Sequence, residues 1–507
     1  MFEFAKNKTS PRPPQIITDL TCSLEENLSI LKALLSNSTD LLTREIDVCG
    51  IKVAAIMCEG MVNSQAYAQL IATPLTKLEL QNATSDTLSE WVRHKAIFST
   101  DQKEFTTFNE LFAFIMSGFV VILIDGINHG TACGLQGYQF RSVGEPSSET
   151  NIRGSREGFV EPIRINQSLI RRRIKSPTLK FELFPIGDKS RTDISLVYLT
   201  DTASPELLKE VKYRLSKVSP DVILNAGYIQ PFLEYGPPSL FSNVSVTERP
   251  DTLCAKINEG RIGILVDGTP FALIVPYFFN EHFQSMDDYA YRPYFATFIR
   301  CLKYIAFFIA FLLPGLYVAI VTYHPSLLPP VLLMNIAVAE QSAPFPLFIE
   351  ALLIHLVYEV MREAGLRLPK GIGHAVGIVG GLVIGDAAVT SGLIGAPMVM
   401  VVALTAICAF VIPSLYENVA TLKFLFIFAG AAFGLFGIWI GIAIVLINIC
   451  AVNAYGVPFS APISPFSFYA MRDVLFRASW TKLGKNAVHV QDFPGSDIKF
   501  KEADSDG

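Results

Sequence analysis

Acidic and histidine side chains lie within or beside the long apolar runs in the last third of the sequence. Ionisable groups are costly in a hydrocarbon environment, so each of them is a candidate for ion passage. The sequence offers five such candidates for a pore or gate: Glu340, Glu350, His355, Glu359 and Asp386. For Asp386, the sole Asp or Glu of the apolar run 375–396, the alternative is a neutral, hydrogen-bonded packing residue.

The segment 331–363 combines apolar and charged residues around a break at Pro344 and Pro346. A helix after this break places His355, Glu359, Arg362 and Glu363 on one face and mostly apolar residues on the other. The spacing therefore predicts an amphipathic helix around 344–363. Such a helix either lies on a membrane surface or lines water inside an oligomer with its polar face.

The sequence carries no constellation typical of catalysis. It has no H-E-x-x-H, G-x-S-x-G or P-loop motif and no clustered His or Cys, so we predict no enzyme, no cofactor and no metal site. The eight cysteines form no C-x-x-C pair and are predicted to be reduced core residues. A net charge of −5 gives no field that attracts phosphates, which excludes a nucleic-acid binder.

A basic segment, 151–180, contains closely spaced charges: Glu161, Arg164, Arg171, Arg172 and Arg173. Helical spacing over 160–174, followed by Pro177, predicts a helix in this segment. One interpretation is a site for an anion or a lipid headgroup. The other is a charged connecting helix whose side chains bridge two subdomains or contact a partner.

The elements that must position the candidate pore residues have a membrane composition. Residues 304–471 carry ten charged side chains in 168 positions, whereas residues 1–303 carry 65 in 303. About 20 apolar residues cross a bilayer as a helix, and four runs reach roughly that length: 304–323, 375–396, 398–416 and 424–451. Glycines four residues apart predict close helix packing, within one chain or between subunits. They are Gly377, Gly381 and Gly385, then Gly430 and Gly434, then Gly437 and Gly441.

The soluble half contains an internal duplication. GFVVILIDG at 118–126 matches GRIGILVDG at 260–268, and at the same offset IKVAAIMCE at 51–59 lies opposite DISLVYLTD at 193–201. A helical pattern follows the second pair in both copies, so two α/β subdomains of one plan are predicted. Asp125-Gly126 and Asp267-Gly268 are predicted to form tight hairpin turns, with metal or nucleotide binding as the alternative.

The N-terminus has no apolar stretch typical of a signal peptide, and Arg292, Arg300 and Lys303 precede the first span. Both observations predict that the N-terminal region stays on the cytoplasmic side. The basic residues of the C-terminal tail, such as Arg472 and Arg477, favour four or six crossings over five.

Four ordered segments resemble the A-subunit family of bacterial spore germinant receptors, the GerA type. They are GSREGFVEPIR…NQSLIRRRIKSPTL, EGRIGILVDGTPFALIVP, RPYFATFIRCLKYIAFFIAFLLPGLYVAI and PFPLFIEALLIHLVYEVMREAGLRLPKGIG. The segments AVGIVGGLVIGDAAVTSG and ALTAICAFVIPS continue the match, which covers roughly residues 25–480. Asp386 departs from the neutral residue, such as glutamine, that the resemblance leads us to expect.

The resemblance implies a subunit of a nutrient receptor in the spore inner membrane. Such a subunit pairs with a transporter-like B subunit, which binds the germinant, and with a lipoprotein C subunit. The A subunit itself is expected to form a homo-oligomeric, nutrient-gated ion channel in contact with membrane lipid. The sequence leaves two alternatives open, a non-conducting scaffold and a secondary transporter for the nutrient.

The predicted fold class is an α/β soluble region of two similar subdomains followed by an all-α polytopic membrane domain. The predicted boundaries are a tail at 1–24, subdomain 1 at 25–150, the basic connecting segment at 151–180, subdomain 2 at 181–290, a transmembrane domain at 291–470 and a polar tail at 471–507.

Overall fold

The computed structural model describes residues 19–35, 38–79, 83–93, 102–135, 137, 146, 149, 151–234, 239–341, 343–368, 385–484 and 488–498. Gly377, Gly381 and most of the predicted span 375–396 lie outside these residues.

Two five-stranded antiparallel sheets form the N-terminal region, and they repeat one strand order. The first sheet has the order β1-β2-β4-β5-β3 and the second the order β6-β7-β9-β10-β8. The strands of the first are β1 (Leu41–Val48), β2 (Ile51–Cys58), β3 (Gln102–Phe105), β4 (Phe119–Ile124) and β5 (Gly130–Gly134). Those of the second are β6 (Leu179–Ile186), β7 (Thr192–Leu199), β8 (Ser245–Thr247), β9 (Ile262–Val266) and β10 (Ala272–Val275). The predicted duplication is therefore confirmed.

Helices cover both faces of each sheet. The first sheet packs against Leu24–Leu34 and Phe108–Ile115 on one face, and against short helices, among them Ser64–Tyr67, Thr73–Thr76 and Ser85–Trp91, on the other. The second packs against Ile163–Arg173 and Pro250–Asn258 on one face and Pro205–Leu215 on the other. The helix predicted in the basic segment is thus part of the second sandwich, where it occupies the place that Leu24–Leu34 has in the first.

The two Asp-Gly pairs form hairpin turns, as predicted, and each aspartate also holds a helix. Gly126 and Gly268 have positive φ angles of 93° and 84°, a conformation that glycine adopts without a steric penalty. Asp125 Oδ1 accepts a hydrogen bond from Leu24 N, and Asp267 Oδ1 accepts one from Ile163 N, both at 2.9 Å. A carboxylate at a helix N-terminus is favourable, so each turn fixes the first helix of its subdomain.

The C-terminal region is helical. Its helices are Met286–Ala290, Pro293–Tyr323, Pro330–Gln341, Leu347–Arg367, Gly385–Thr390, Ala396–Phe410 and Tyr416–Ala451, followed by Trp480–Leu483. Within the described residues, two helical segments have the length and apolar composition of a membrane span, Pro293–Tyr323 and Pro413–Ala451, and the second of them is interrupted at Gly434. The core of subdomain 2 continues into these helices, because Phe279 and Phe283 contact Phe307 of the first.

The predicted single span 424–451 is wrong, because the chain reverses inside it. Gly434 has φ 59° and ψ −144°, which are not helical angles. A Cβ on Gly437 would collide with the backbone of Ala429, and one on Gly441 would contact the ring of Phe426. Residues 416–433 and 435–451 are therefore antiparallel helices, and Asn418 and Asn448 at their outer ends both hydrogen-bond to Leu240 of subdomain 2.

The glycines of this hairpin make close contacts within one chain. Gly430 lies against Gly315 of the 293–323 helix, where a Cβ on either residue would collide with backbone atoms of the other helix. Gly434 forms the turn beside Tyr323, and Gly385 has only Val399 within 4 Å of a built Cβ. Small residues let helices approach this closely, which is the internal-packing interpretation of the spacing.

Gly430→Leu should force the 293–323 and 416–433 helices apart. Overpacking at such a crossing costs about 1–3 kcal/mol of unfolding free energy, measurable by chemical denaturation of the chain in detergent micelles. Gly365→Leu is the matched control, because no atom of the described residues lies within 4 Å of a built Cβ at Gly365. Equal stability of the two variants would contradict the close crossing.

The C-terminal segment returns to the side of the soluble subdomains. Val490 N donates to Glu259 O at 3.1 Å, and Phe279 N donates to Phe459 O at the same distance. The 293–323 helix starts beside subdomain 2, and the chain returns to this side of the helical region after residue 451. The number of membrane crossings stays a prediction.

None of the eight cysteines is paired, and all lie in the described part of the chain. Cys58, Cys133, Cys254 and Cys408 are buried, and burial raises the pKa of the Cys58 and Cys133 thiols to about 12. The prediction that all are core residues is wrong for Cys22, Cys49 and Cys450, which are exposed.

Candidate functional site

Two of the predicted pore residues, Glu340 and Glu350, meet at a break between helices. Pro344 and Pro346 separate the 330–341 helix from the 347–367 helix, because proline cannot continue a helix through its interior. This break brings the end of one helix and the first turn of the next to the N-terminus of the Ala396–Phe410 helix. A Cβ built on Gly395 would lie 3.3 Å from Glu340 Oε1 and 3.4 Å from Glu350 Oε1.

The carboxylate of Glu350 is buried at this junction. Its side chain has no solvent exposure, and its Oε1 accepts a hydrogen bond of 2.6 Å from Gly395 N. The positive end of the 396–410 helix dipole favours a negative charge at this position. The side chain of Glu340 lies within hydrogen-bonding reach of Glu350 and of the Tyr317 hydroxyl, so the two carboxyl groups form a close pair in an apolar setting.

The polar face of the 347–367 helix packs against the same chain. Glu359 accepts hydrogen bonds from Lys423 Nζ and Tyr416 OH, each 2.7 Å long. Arg362 lies 3.8 Å from the centre of the Tyr416 ring. The predicted amphipathic helix is present over Leu347–Arg367, but this part of its polar face contacts residues 416–423 rather than a membrane surface or pore water.

His355 and Asp386 lie apart from the Glu340–Glu350 junction. His355 is fully buried, and its ring faces Phe424 at 6.5 Å between centroids. Asp386 is exposed on the short Gly385–Thr390 helix. The structure thus brings two of the five candidates together at the helix break and pairs a third, Glu359, with Lys423.

The basic segment joins the two soluble subdomains. Arg171 Nη2 lies 2.7 Å from Asp40 Oδ2, and both side chains are almost completely buried. Arg164 Nη1 lies 3.0 Å from Glu59 Oε2 in a half-exposed pair. The backbone carbonyl of Glu161 accepts from Gly268 N at 2.9 Å. These contacts fit the interpretation of the segment as a charged connecting helix.

Arg172 and Arg173 both bind Glu157, within the connecting segment itself. Burial alone would raise the pKa of Glu157, but hydrogen bonds and charges from the two arginines outweigh it and hold this pKa below its usual value. Both guanidinium groups share this one carboxylate, which ties the end of the helix to the residues before it and leaves the cluster with one net positive charge.

A third cluster of charges, which the sequence analysis missed as a site, joins the soluble and helical regions. Arg300 is fully buried and contacts Asp288 Oδ2 at 3.0 Å and Asp473 Oδ1 at 2.9 Å. Its Nη1 also donates to the carbonyl oxygens of Asp473 and Val474. Arg300 was predicted only as a positive charge preceding a span, and no local pattern pointed to partners 12 and 173 residues away.

The Arg300 network, made of Asp288, Arg300 and Asp473, connects three parts of the chain. Asp288 belongs to the short helix Met286–Ala290, and Arg300 belongs to the long apolar helix Pro293–Tyr323 that follows it. Asp473 lies in the C-terminal segment. Lys303 Nζ adds a contact of 3.5 Å to Asp288 Oδ1. The network therefore joins the short helix Met286–Ala290 and the C-terminal segment to the same arginine of the 293–323 helix.

The architecture is a duplicated α/β region followed by a helical region with long apolar helices. The family model of the Bacillus/Clostridium GerA spore germination protein matches residues 29–488. The chain belongs to this family.

Similar proteins carry names from spore germination. The chain is 38% identical to spore germination protein KA of Bacillus subtilis over 464 residues, 90% of this chain and 85% of that protein. It is 36% identical to spore germination protein GerLA of Bacillus cereus over 479 residues, 94% and 97% of the two chains. It is also similar to the crystal structure of the N-terminal domain of the A subunit of the Bacillus megaterium spore germinant receptor GerK3, at 30% identity, 52% of this chain, 98% of that chain and a TM-score of 0.41.

Proposed function

We propose that this chain is the A subunit of a nutrient germinant receptor in the spore inner membrane. Its copies assemble into a cation channel that a nutrient signal opens, and its N-terminal region lies on the core side. The partners are a transporter-like B subunit and a lipoprotein C subunit. Membership of the GerA family supports the role in germination, and the proposal includes no enzymatic step.

The observation that carries the channel proposal is the Glu340–Glu350 junction. Broken helices that expose polar atoms within an apolar bundle are typical of ion paths. Here two carboxylates converge on the N-terminus of a helix, and one of them is fully buried. Acidic side chains attract cations, so these carboxylates are our candidates for the cation path. Asp386 is a second candidate, on the outer surface of a single chain, where a neighbouring copy would have to complete the path.

The Arg300 network supports a role of the soluble region in gating. It links subdomain 2, the first long helix and the segment after the last one through buried charges. Buried ion pairs have discrete geometries, so a shift of the soluble region changes the helix positions by steps rather than gradually.

Glu350→Gln should change potassium flux through liposomes that contain the purified chain, because it replaces a buried acidic group of the proposed path with a neutral amide. Glu363→Gln is the matched control, since Glu363 lies on the same helix but is half-exposed and pairs with Arg367 at 2.7 Å. Asp386→Asn, measured alongside, tests the second candidate.

Four outcomes of these flux measurements distinguish the proposed functions. Flux altered by Glu350→Gln alone supports the channel at the helix break, and flux altered by Asp386→Asn alone moves the path to that surface. Wild-type flux in both variants, with normal protein levels, contradicts both pore assignments. If the wild-type chain conducts nothing even after the B and C subunits are added, the channel proposal fails and a scaffold role replaces it.

A further inference from the structure

The segment after the last long helix exposes an unusual number of aromatic side chains. Phe466, Phe468, Phe476 and Trp480 expose 56%, 88%, 62% and 60% of their surface, and Tyr469 exposes 47%. We call these five residues the aromatic patch. Single exposed apolar side chains are ordinary, but several large ones this close together in the chain are typical of a contact site.

The patch is held beside the start of the 293–323 helix. Arg477 N donates to Thr297 Oγ1 at 3.1 Å, and Trp480 Nε1 donates to Tyr289 O at 3.1 Å. Asp473, between Tyr469 and Phe476, is fixed by Arg300. The patch therefore sits at a defined level, next to the first turns of that helix.

The surface of the same helix continues the patch along the bundle. Tyr294, Phe298, Leu302 and Ile305 are exposed by 70%, 60%, 41% and 59%, and their spacing of four, four and three residues places them on one face. On a helix that crosses a bilayer, an exposed apolar stripe of this kind contacts lipid chains. The aromatic patch lies where this stripe begins, at the end nearest the soluble subdomains.

Cationic side chains accompany the aromatic ones. Arg292 and Lys482 are exposed, and the guanidinium of Arg472 lies 4.3 Å from the centre of the Tyr469 ring. Residues 460–484 contain three basic side chains and one acidic one, Asp473, which Arg300 neutralises. Aromatic rings mixed with Lys and Arg are typical of the headgroup layer of a membrane, and the cations favour anionic lipids.

We propose that the segment 460–484 lies in the phospholipid headgroup layer on the side of the soluble subdomains, with its aromatic side chains inserted and its cations on anionic headgroups. This inference rests on the membrane location in the proposed function. In this arrangement the Arg300 network joins the first long helix to the membrane surface, because Asp473 belongs to the segment in the headgroup layer and contacts Arg300.

The chain has three tryptophans, Trp91, Trp439 and Trp480, which allows a direct test. In the full chain with Trp91→Phe and Trp439→Phe, Trp480 is the only tryptophan. Reconstituted in phosphatidylcholine nanodiscs with phosphatidylglycerol brominated near the headgroup end of its chains, this variant should lose Trp480 emission. Bromine near the methyl end should quench it less. Lys482→Glu should reduce the quenching by phosphatidylglycerol towards that by equally brominated phosphatidylcholine.

The control is the variant with Trp91→Phe and Trp480→Phe, which retains Trp439, 70% exposed on the 435–451 helix. If Trp439 is quenched and Trp480 is not, the headgroup proposal is wrong, whereas the membrane location still holds. If neither is quenched, the membrane location itself fails. An unquenched Trp480 together with new disulfide cross-links between copies carrying Phe468→Cys would show that a second copy of the chain covers the patch instead.

Discussion

Replacing Arg300 with methionine should lower the free energy of unfolding of the full chain by about 3–5 kcal/mol, because it removes the partner of buried carboxylates. Asp288 is 1% exposed and would keep its hydrogen bonds from Ser285, but its remaining charged partner would be Lys303 at the longer distance of 3.5 Å. Methionine fills a similar volume but donates no hydrogen bonds, so the carbonyl oxygens of Asp473 and Val474 lose donors as well. Chemical denaturation in detergent micelles measures the loss.

Arg292→Met is the matched control for this substitution. Arg292 is exposed at the start of the same helix, and a change there should cost well under 1 kcal/mol. Similar losses of unfolding free energy in the two variants would mean that the buried ion pairs of Arg300 stabilise the chain no more than an exposed arginine on the same helix does. Spores that carry Arg300→Met should also contain less of the protein, because a destabilised chain is degraded.

Replacing Arg171 with methionine should separate the two soluble subdomains, at a cost of about 3–5 kcal/mol. Arg171 binds Asp40 through Nε and Nη2, donates to Leu179 O at 2.9 Å and covers the ring of Phe181. The substitution leaves Asp40, which is 3% exposed, with Ser38 as its remaining side-chain donor. Limited proteolysis and denaturation of the full chain should both report a looser connection between the subdomains.

A second pair between the same subdomains provides the control. Arg164→Met removes the pair with Glu59, whose side chains are 35% and 37% exposed, and should cost about 0–1 kcal/mol. Adding Asp40→Asn to Arg171→Met should restore part of the stability, since it removes the unpaired buried charge. If the double variant were as unstable as the sum of the two single ones, the direct pairing would be excluded as the cause.

The duplicated plan of the soluble region could be predicted because its signal is local. Strand-forming runs, an Asp-Gly turn and a constant offset of 142 residues recur in the sequence. The second role of the turn aspartates could not be predicted, since Asp125 binds a backbone N–H 101 residues away. A helix N-terminus looks the same in sequence whether a nearby side chain or a distant one satisfies it.

The sequence predicted that the C-terminal half is apolar, but it did not predict how the chain folds within this half. Residues 424–471 carry no charge, so nothing in their hydropathy marks a reversal. Gly434 is one of four glycines in a regular series, and only the three-dimensional fold distinguishes the one with φ 59° from its neighbours. A uniformly apolar stretch is therefore predicted to be one helix, although the chain folds back within it at Gly434.

The sequence by itself determined the fold class, the division into soluble and apolar halves and the family, because each depends on composition or on contiguous motifs. Only the tertiary structure decided which charges meet. It placed Glu340 beside Glu350, paired Glu359 with Lys423, left Asp386 exposed and brought Asp473 back to Arg300. The physical reason is that burial and pairing of a charge depend on residues distant in the chain, whereas hydropathy and turn formation depend on neighbours.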